Sequence, residues 1–192
     1  MSGPVSSNPK LVLLFSGKRK SGKDYITDIL LEKIGDSAGV ILRLSGPLKE
    51  CYAKDHGLDY QKMLSASDYK EKYRLDMITW STTIRQEDYT YFCRAAIEKY
   101  GGAQHSIWIV SDCRRETDFK YFKENYGEKV KTVRIEASEK ARSERGWVFT
   151  PSVDDMETEC GLDTIEHDLV VDNSGIEDIA KIMDSLMSLI SK

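Results

Sequence analysis

Eight consecutive residues, Gly17-Lys18-Arg19-Lys20-Ser21-Gly22-Lys23-Asp24, combine two glycines with four cations. Glycines at this spacing let the backbone curl until successive N–H groups point inward, the arrangement that cradles phosphate oxygens. Lys23 then reaches the outer phosphates as a point charge. Such a cradle needs a buried strand before it and a helix after it. The chain supplies both, because Leu11-Val12-Leu13-Leu14-Phe15 precedes the loop and an amphipathic stretch begins at Tyr25. A solvated basic patch would need neither the strand nor the glycines. Phosphate loops of this kind usually follow the lysine with Ser or Thr, whose hydroxyl holds Mg²⁺, whereas this chain has Asp24. A carboxylate at that place can hold the metal directly or through water.

Further charged groups fall where the same chemistry would use them. Asp112 follows the strongly apolar run Ile107-Trp108-Ile109-Val110, the place where phosphoryl-transfer enzymes keep the acid that organises the Mg²⁺ shell. Advancing about 100° per residue along a helix from Tyr69 puts Tyr69, Tyr73, Met77, Trp80 and Ile84 on one side. Lys70, Arg74, Ser81 and Arg85 fall on the adjoining side, so the cations border the buried face and aim into a cleft. Lys49, Arg94 and Arg114 can join them, giving an acceptor site for a molecule with several negative charges. Arg142 and Arg145 are three residues apart and share a helix face. They open a segment, about 139–163, that reads as a mobile lid flanked by Gly146, Pro151 and Gly161 and containing Asp154, Asp155, Glu157 and Glu159.

The elements that must position these groups alternate. The pattern predicts strands at 11–16, 40–45, 107–110, 130–137 and 169–171. It predicts helices at 22–34, 47–56 (opened by Pro47), 115–125 and 138–145, a long helical region over 61–100, an irregular acidic stretch over 146–163, and a last helix from 176. In that last helix Ile176, Ile179, Met183, Leu186 and Ile190 form an apolar stripe. Near-continuous apolar strands between helices mean an α/β fold with a parallel sheet covered on both faces, and ligands at the C-terminal ends of the strands.

Composition narrows the function further. A chain of 192 residues fits one domain, and residues 1–10 read as a flexible leader to a domain over 11–192. A net charge of −4 with arginines gathered in a few loops favours a small anionic ligand over nucleic acid. No run approaches the roughly 18 apolar residues of a membrane span, and there is no signal or transit pattern, so the cytosol is expected. Four cysteines without a Cys-x-x-Cys pair read as free thiols, and His56, His105 and His167 are dispersed.

With those residues assembled, the chain resembles the animal-type phosphomevalonate kinases of the P-loop kinase superfamily. The matching strings are LVLLFSGKRKSGKD, LRLSGPLKE, YFCR, SDCRR, ERGWVFTP and DDMETECGLD, which span nearly all of residues 11–175. The resemblance implies a three-layer P-loop kinase fold with a lid and transfer of the ATP γ-phosphoryl group to 5-phosphomevalonate, in isoprenoid and sterol synthesis. It also implies Mg²⁺ and a monomer. It marks Lys18, Arg19, Lys20, Lys23 and Asp24 in the ATP loop, with Gly17, Ser21 and Gly22 forming its backbone. Arg85, Arg114 and Arg115 are its essential arginines, Arg142 and Arg145 its lid, and Asn173 faces the nucleotide. The expected catalytic set is thus Arg19, Lys20, Lys23, Arg114 and Arg145, with Asp24 and Asp112 for the metal. Two other readings compete: a nucleoside monophosphate kinase of the same fold, and a GTP switch, which would need an Asn-Lys-x-Asp sequence that does not occur.

Overall fold

A computed structural model describes residues 8–64, 68–175 and 179–191, without the side chains of Asp68 and Lys70. Five strands, β1 (Leu11–Ser16), β2 (Gly39–Leu42), β3 (Ile107–Val110), β4 (Val130–Glu136) and β5 (Leu169–Asp172), form one sheet in the order β2-β3-β1-β4-β5. Every pairing is parallel. Parallel pairing forces a crossover after each strand, and the helices that make the crossovers cover both faces.

Side chains of β1 alternate between those faces. Val12 and Leu14 meet Trp108, Val110, Phe119 and Phe122 on one side. Leu13 and Phe15 meet Ile26, Leu30, Ile109, Ile135, Met183 and Leu186 on the other. Helix α1 (Lys23–Ile34) therefore covers the second face, while α5 (Tyr91–Lys99) and α6 (Glu116–Tyr126) cover the first. The chain thus leaves β1 and β3, which are neighbours, toward opposite faces. That divergence opens a crevice above their C-terminal ends. The backbone N–H of Cys113 donates to the Phe15 carbonyl at 3.0 Å and ties the two loops together there.

A third cluster stands beside the sheet. Helices α2 (Ser45–Asp55), α3 (Tyr60–Leu64) and α4 (Asp68–Glu87) bury Tyr52, Ala53, Met63 and Met77 among themselves, with Tyr69, Tyr73 and Trp80 packed against them. The apolar stripe computed from the sequence is this packing face.

Several boundaries differ from expectation. Helix α2 begins at Ser45, ahead of Pro47, because the Asp112 carboxylate accepts from the N–H groups of Leu44 at 2.6 Å and Ser45 at 3.0 Å. The strand before it ends at Leu42 for the same reason. The expected region over 61–100 is three helices. Its second break falls where the Asp88 carboxylate accepts from the Thr90 N–H at 2.9 Å and turns the chain. The stretch 146–163 contains a short helix, α8 (Glu157–Cys160), after α7 (Glu139–Glu144). The last helix is α9 (Ile179–Ile190); its expected start at Ile176, like most of the leader, lies outside the described residues.

Candidate active site

The glycine-spaced loop joins β1 to α1, and its sequence explains its shape. Gly17 has φ 146°, and a Cβ there would lie 2.3 Å from the Ile135 carbonyl oxygen. Gly22 has φ 95°, and a Cβ there would lie 2.2 Å from Asn173 Nδ2. Both positions need glycine for conformation and for room. Lys20 is also left-handed, with φ 60°. One hydrogen bond closes the turn, from Ser21 N to the Lys18 carbonyl at 3.1 Å.

Lys23 folds back into this loop. Its Nζ donates to the Gly17 carbonyl and, at 3.0 Å, to the Lys18 carbonyl. Burial lowers its pKa to about 7, and the nearby Arg114 adds to the drop. Two carbonyl acceptors match the two N–H bonds of a neutral amine, so the hydrogen bonding fits the depressed pKa.

Arginines from the next strand loops brace the cradle from above. Arg142 is buried, stacks over Trp147 with 3.9 Å to the ring centroid, and donates through Nε to the Arg19 carbonyl at 2.8 Å. Arg145 donates to the carbonyls of Lys20 at 3.3 Å, Ser21 at 3.1 Å and Asn173 at 2.5 Å. The Asn173 amide donates to the Ser21 carbonyl at 2.8 Å. The segment expected as a lid therefore rests directly on the phosphate loop. Beside it lies a cleft of about 490 Å³ lined by residues that include Lys18, Glu136, Ser138, Arg142, Asp172 and Ser174.

On the other side of the loop is a cavity of about 120 Å³, walled by Lys49, Arg74, Arg85, Arg114 and Arg115 and by the apolar Leu48, Met77 and Ile78. Here the arginines are held by carboxylates. Arg85 pairs with Asp118 at 2.7 Å, Arg115 with Glu157 at 2.6 Å, Arg74 with Glu71, and Arg114 with Glu159. Burial alone would lower the pKa of Arg114, but Glu159 and Asp112 outweigh it and the pKa is raised. Lys49 is lowered by burial. The Nε of Arg85 is buried without a hydrogen-bond partner, so one donor in the cavity wall is unspent.

The structure brings Lys49, Arg74, Arg85 and Arg114 together, as the sequence pattern expected, and sets beside them Arg115, which the resemblance marked. It does not bring Arg94 to them: that guanidinium is exposed on α5 and pairs with Asp88 at 2.6 Å, off the helix face that buries Phe92, Cys93, Ala96 and Ile97. The side chain of Lys70 lies outside the described residues. Asp24 is exposed at the start of α1. Asp112 already holds the first N–H groups of α2, so its first role is to set the turn that carries Lys49. Among the described residues no three His, Cys, Asp or Glu side chains gather as metal ligands. A pair of acids beside a phosphate cradle does suit Mg²⁺, which takes one or two carboxylates and fills its shell with phosphate oxygens and water.

Sequence reasoning missed the carboxylates that organise these cations. Asp118 accepts from the backbone N–H groups of Arg114 and Arg115 at 3.0 and 3.1 Å and so fixes both arginines at the start of α6. An acid three residues after Arg115, at a helix start, is a capping signal that was available. Asp154, Glu159 and Asp163 pair with Arg19, Arg114 and Lys18. His167 shares a 3.0 Å hydrogen bond with the buried Ser16, just before the loop.

Comparison with known proteins agrees with this geometry. The chain is similar in fold to the adenylylsulfate (APS) kinase CysC of Mycobacterium tuberculosis, solved with AMPPNP and APS (TM-score 0.53, 13% identity, 97% of this chain and 99% of that one). It is likewise similar to TT1252 of Thermus thermophilus (TM-score 0.58, 14% identity, 95% and 98%). At these identities the likeness concerns the fold, a parallel sheet flanked by helices in the manner of P-loop kinases. A curated phosphomevalonate kinase of Drosophila melanogaster is 46% identical over 156 residues, covering 80% of this chain and 82% of the relative. The sequence model of the phosphomevalonate kinase family matches residues 15–129, which run from the end of β1 through the phosphate loop and the helices α2 to α6. On those matches the chain belongs to the phosphomevalonate kinase family.

Proposed function

We infer that this chain transfers the γ-phosphoryl group of ATP to the phosphate of 5-phosphomevalonate, giving 5-diphosphomevalonate and ADP. An oxygen of the acceptor phosphate forms the new P–O bond as the bond to the β-phosphoryl bridging oxygen breaks, and ADP leaves with that electron pair. The acceptor oxygen is already anionic, so no general base is needed. The obstacle is repulsion between two polyanions and charge building at the transferred group.

The observation that carries this reading is the placement of five cations around a cavity, one of which, Arg114, is close enough to Lys23 to lower its pKa, in a chain of this family. Lys23, Arg19, Lys20 and the lid arginines Arg142 and Arg145 would serve the nucleotide. Lys49, Arg74, Arg85, Arg114 and Arg115 would serve the acceptor, with Leu48, Met77 and Ile78 against its carbon skeleton. Arg114, near Lys23, would stand where both ligands end and carry charge on the moving group. Asp24 and Asp112 would hold Mg²⁺, which when bound with ATP neutralises phosphoryl charge.

The four cysteines are free, which suits the reducing cytosol, and no described helix is long and apolar enough to cross a membrane. We read the enzyme as a cytosolic monomer acting on small molecules. The test is ADP release with Mg-ATP and, in parallel, 5-phosphomevalonate, mevalonate and nucleoside monophosphates. Release with 5-phosphomevalonate alone is expected. Release with a nucleotide would replace this acceptor with that of a nucleoside monophosphate kinase.

A further inference from the structure

We propose that Glu159 is an internal anion seated on the donors of the transferring phosphate, and that it sets how much negative charge a ligand must bring to enter. This rests on the kinase reading of the same site. One carboxylate oxygen of Glu159 accepts from the backbone N–H of Arg19, inside the phosphate loop, at 2.9 Å. The other accepts from the guanidinium of Arg114. A backbone N–H of a glycine-spaced loop and a guanidinium are the two kinds of donor that phosphoryl oxygens use. The residue is only 6% exposed and lines the acceptor cavity.

Its neighbours repeat the pattern. Asp154 holds the Arg19 guanidinium at 3.1 Å, Asp163 holds Lys18 at 2.9 Å, and Glu157 holds Arg115 at 2.6 Å. Residues 154–163 thus lay four carboxylates along the cations of the site. The loop keeps one further group unspent, because the buried Ser21 hydroxyl has no partner.

The consequence follows from charge and geometry. A carboxylate offers one negative charge and two oxygens, whereas a terminal phosphate group offers close to two charges and three oxygens. Phosphate displaces Glu159 with a gain in charge and contacts. A hydroxyl cannot, because it brings no charge to replace the carboxylate that Arg114 holds. Glu159 is therefore a specificity-determining residue, admitting phosphorylated acceptors and excluding their hydroxyl analogues.

The test is binding of inorganic tripolyphosphate, which carries the charges but not the chemistry, to the full chain and to Glu159→Gln. About tenfold tighter binding by the variant is expected, the usual size of losing one charged competitor. Equal or weaker binding by Glu159→Gln overturns the proposal. If that variant does not fold, hydrogen exchange on the unaltered chain decides. Amides over 157–161 should exchange faster when tripolyphosphate is added, and unchanged or slower exchange contradicts displacement. Tripolyphosphate failing to bind the unaltered chain at all would instead count against the kinase reading itself.

Discussion

The lid arginines Arg142 and Arg145 on the proposed nucleotide side and the arginines on the proposed acceptor side are held by different means. Around the phosphate loop Lys23, Arg142 and Arg145 donate to backbone carbonyls, of Gly17, Lys18, Arg19, Lys20, Ser21 and Asn173. Around the acceptor cavity Arg74, Arg85, Arg114 and Arg115 rest on carboxylates. A carbonyl fixes direction but cancels no charge, so Arg142 and Arg145 keep their charge, whereas Lys18 and Arg19 are paired with Asp163 and Asp154. A carboxylate cancels charge, so the partly buried arginines are tolerated before a ligand arrives. On the proposed roles, the lid arginines would attract a polyphosphate directly, and the acceptor side would exchange one anion for another.

That contrast is broken most severely on the nucleotide side. Lys23→Met and Arg145→Ala should each lower turnover by about 10²–10³-fold, the size of losing one transition-state donor. Single-turnover measurements at saturating ligands would read it, and unaltered turnover in either variant would remove that residue from the chemistry.

A smaller effect concerns pH. Free Lys23 has its pKa lowered to about 7, and a bound polyphosphate would raise it again. Nucleotide affinity should therefore fall as pH rises above about 7, by up to tenfold per pH unit. Near pH 8 binding should take up a proton, which titration calorimetry in buffers of different ionisation heat detects. Stability without ligand runs the other way. The unfolded chain binds the Lys23 proton more tightly, so this residue adds stability as pH rises from 7 toward its ordinary value of 10.5. Proton release on binding would contradict the depressed lysine.

The smallest effect is structural. The Ser138 hydroxyl caps α7 by accepting from the Ala141 N–H at 3.2 Å. Ser138→Ala should cost about 1 kcal/mol of stability, measured by denaturant unfolding. It would also loosen the helix that carries Arg142.

What could be read from the sequence was what lies close along the chain. The strand, glycine loop and helix from Leu11 to Ile34 are contiguous, so spacing alone located them. Arg74, Ser81 and Arg85 share one helix, so periodicity placed them on the cavity wall. Arg94 was misplaced because it sits on a separate helix, where Asp88 just before that helix takes its charge. The counter-anions were illegible for a different reason. Glu159 lies 140 residues from the loop N–H that it meets, and Asp154 lies 135 from the guanidinium that it holds. An acidic run is visible in one dimension, but its partners are chosen only by the order of β1, β3 and β4 in the sheet.

The most direct test of the two-sided account is separate titration of ATP and 5-phosphomevalonate into Arg74→Ala. Arg74 lines the acceptor cavity, and its partner Glu71 is partly exposed, so its loss strands no buried charge. The account predicts acceptor binding about tenfold weaker, the worth of one charge-assisted contact, with ATP affinity unchanged. Equal loss of both affinities would contradict the division of the site into two differently held halves.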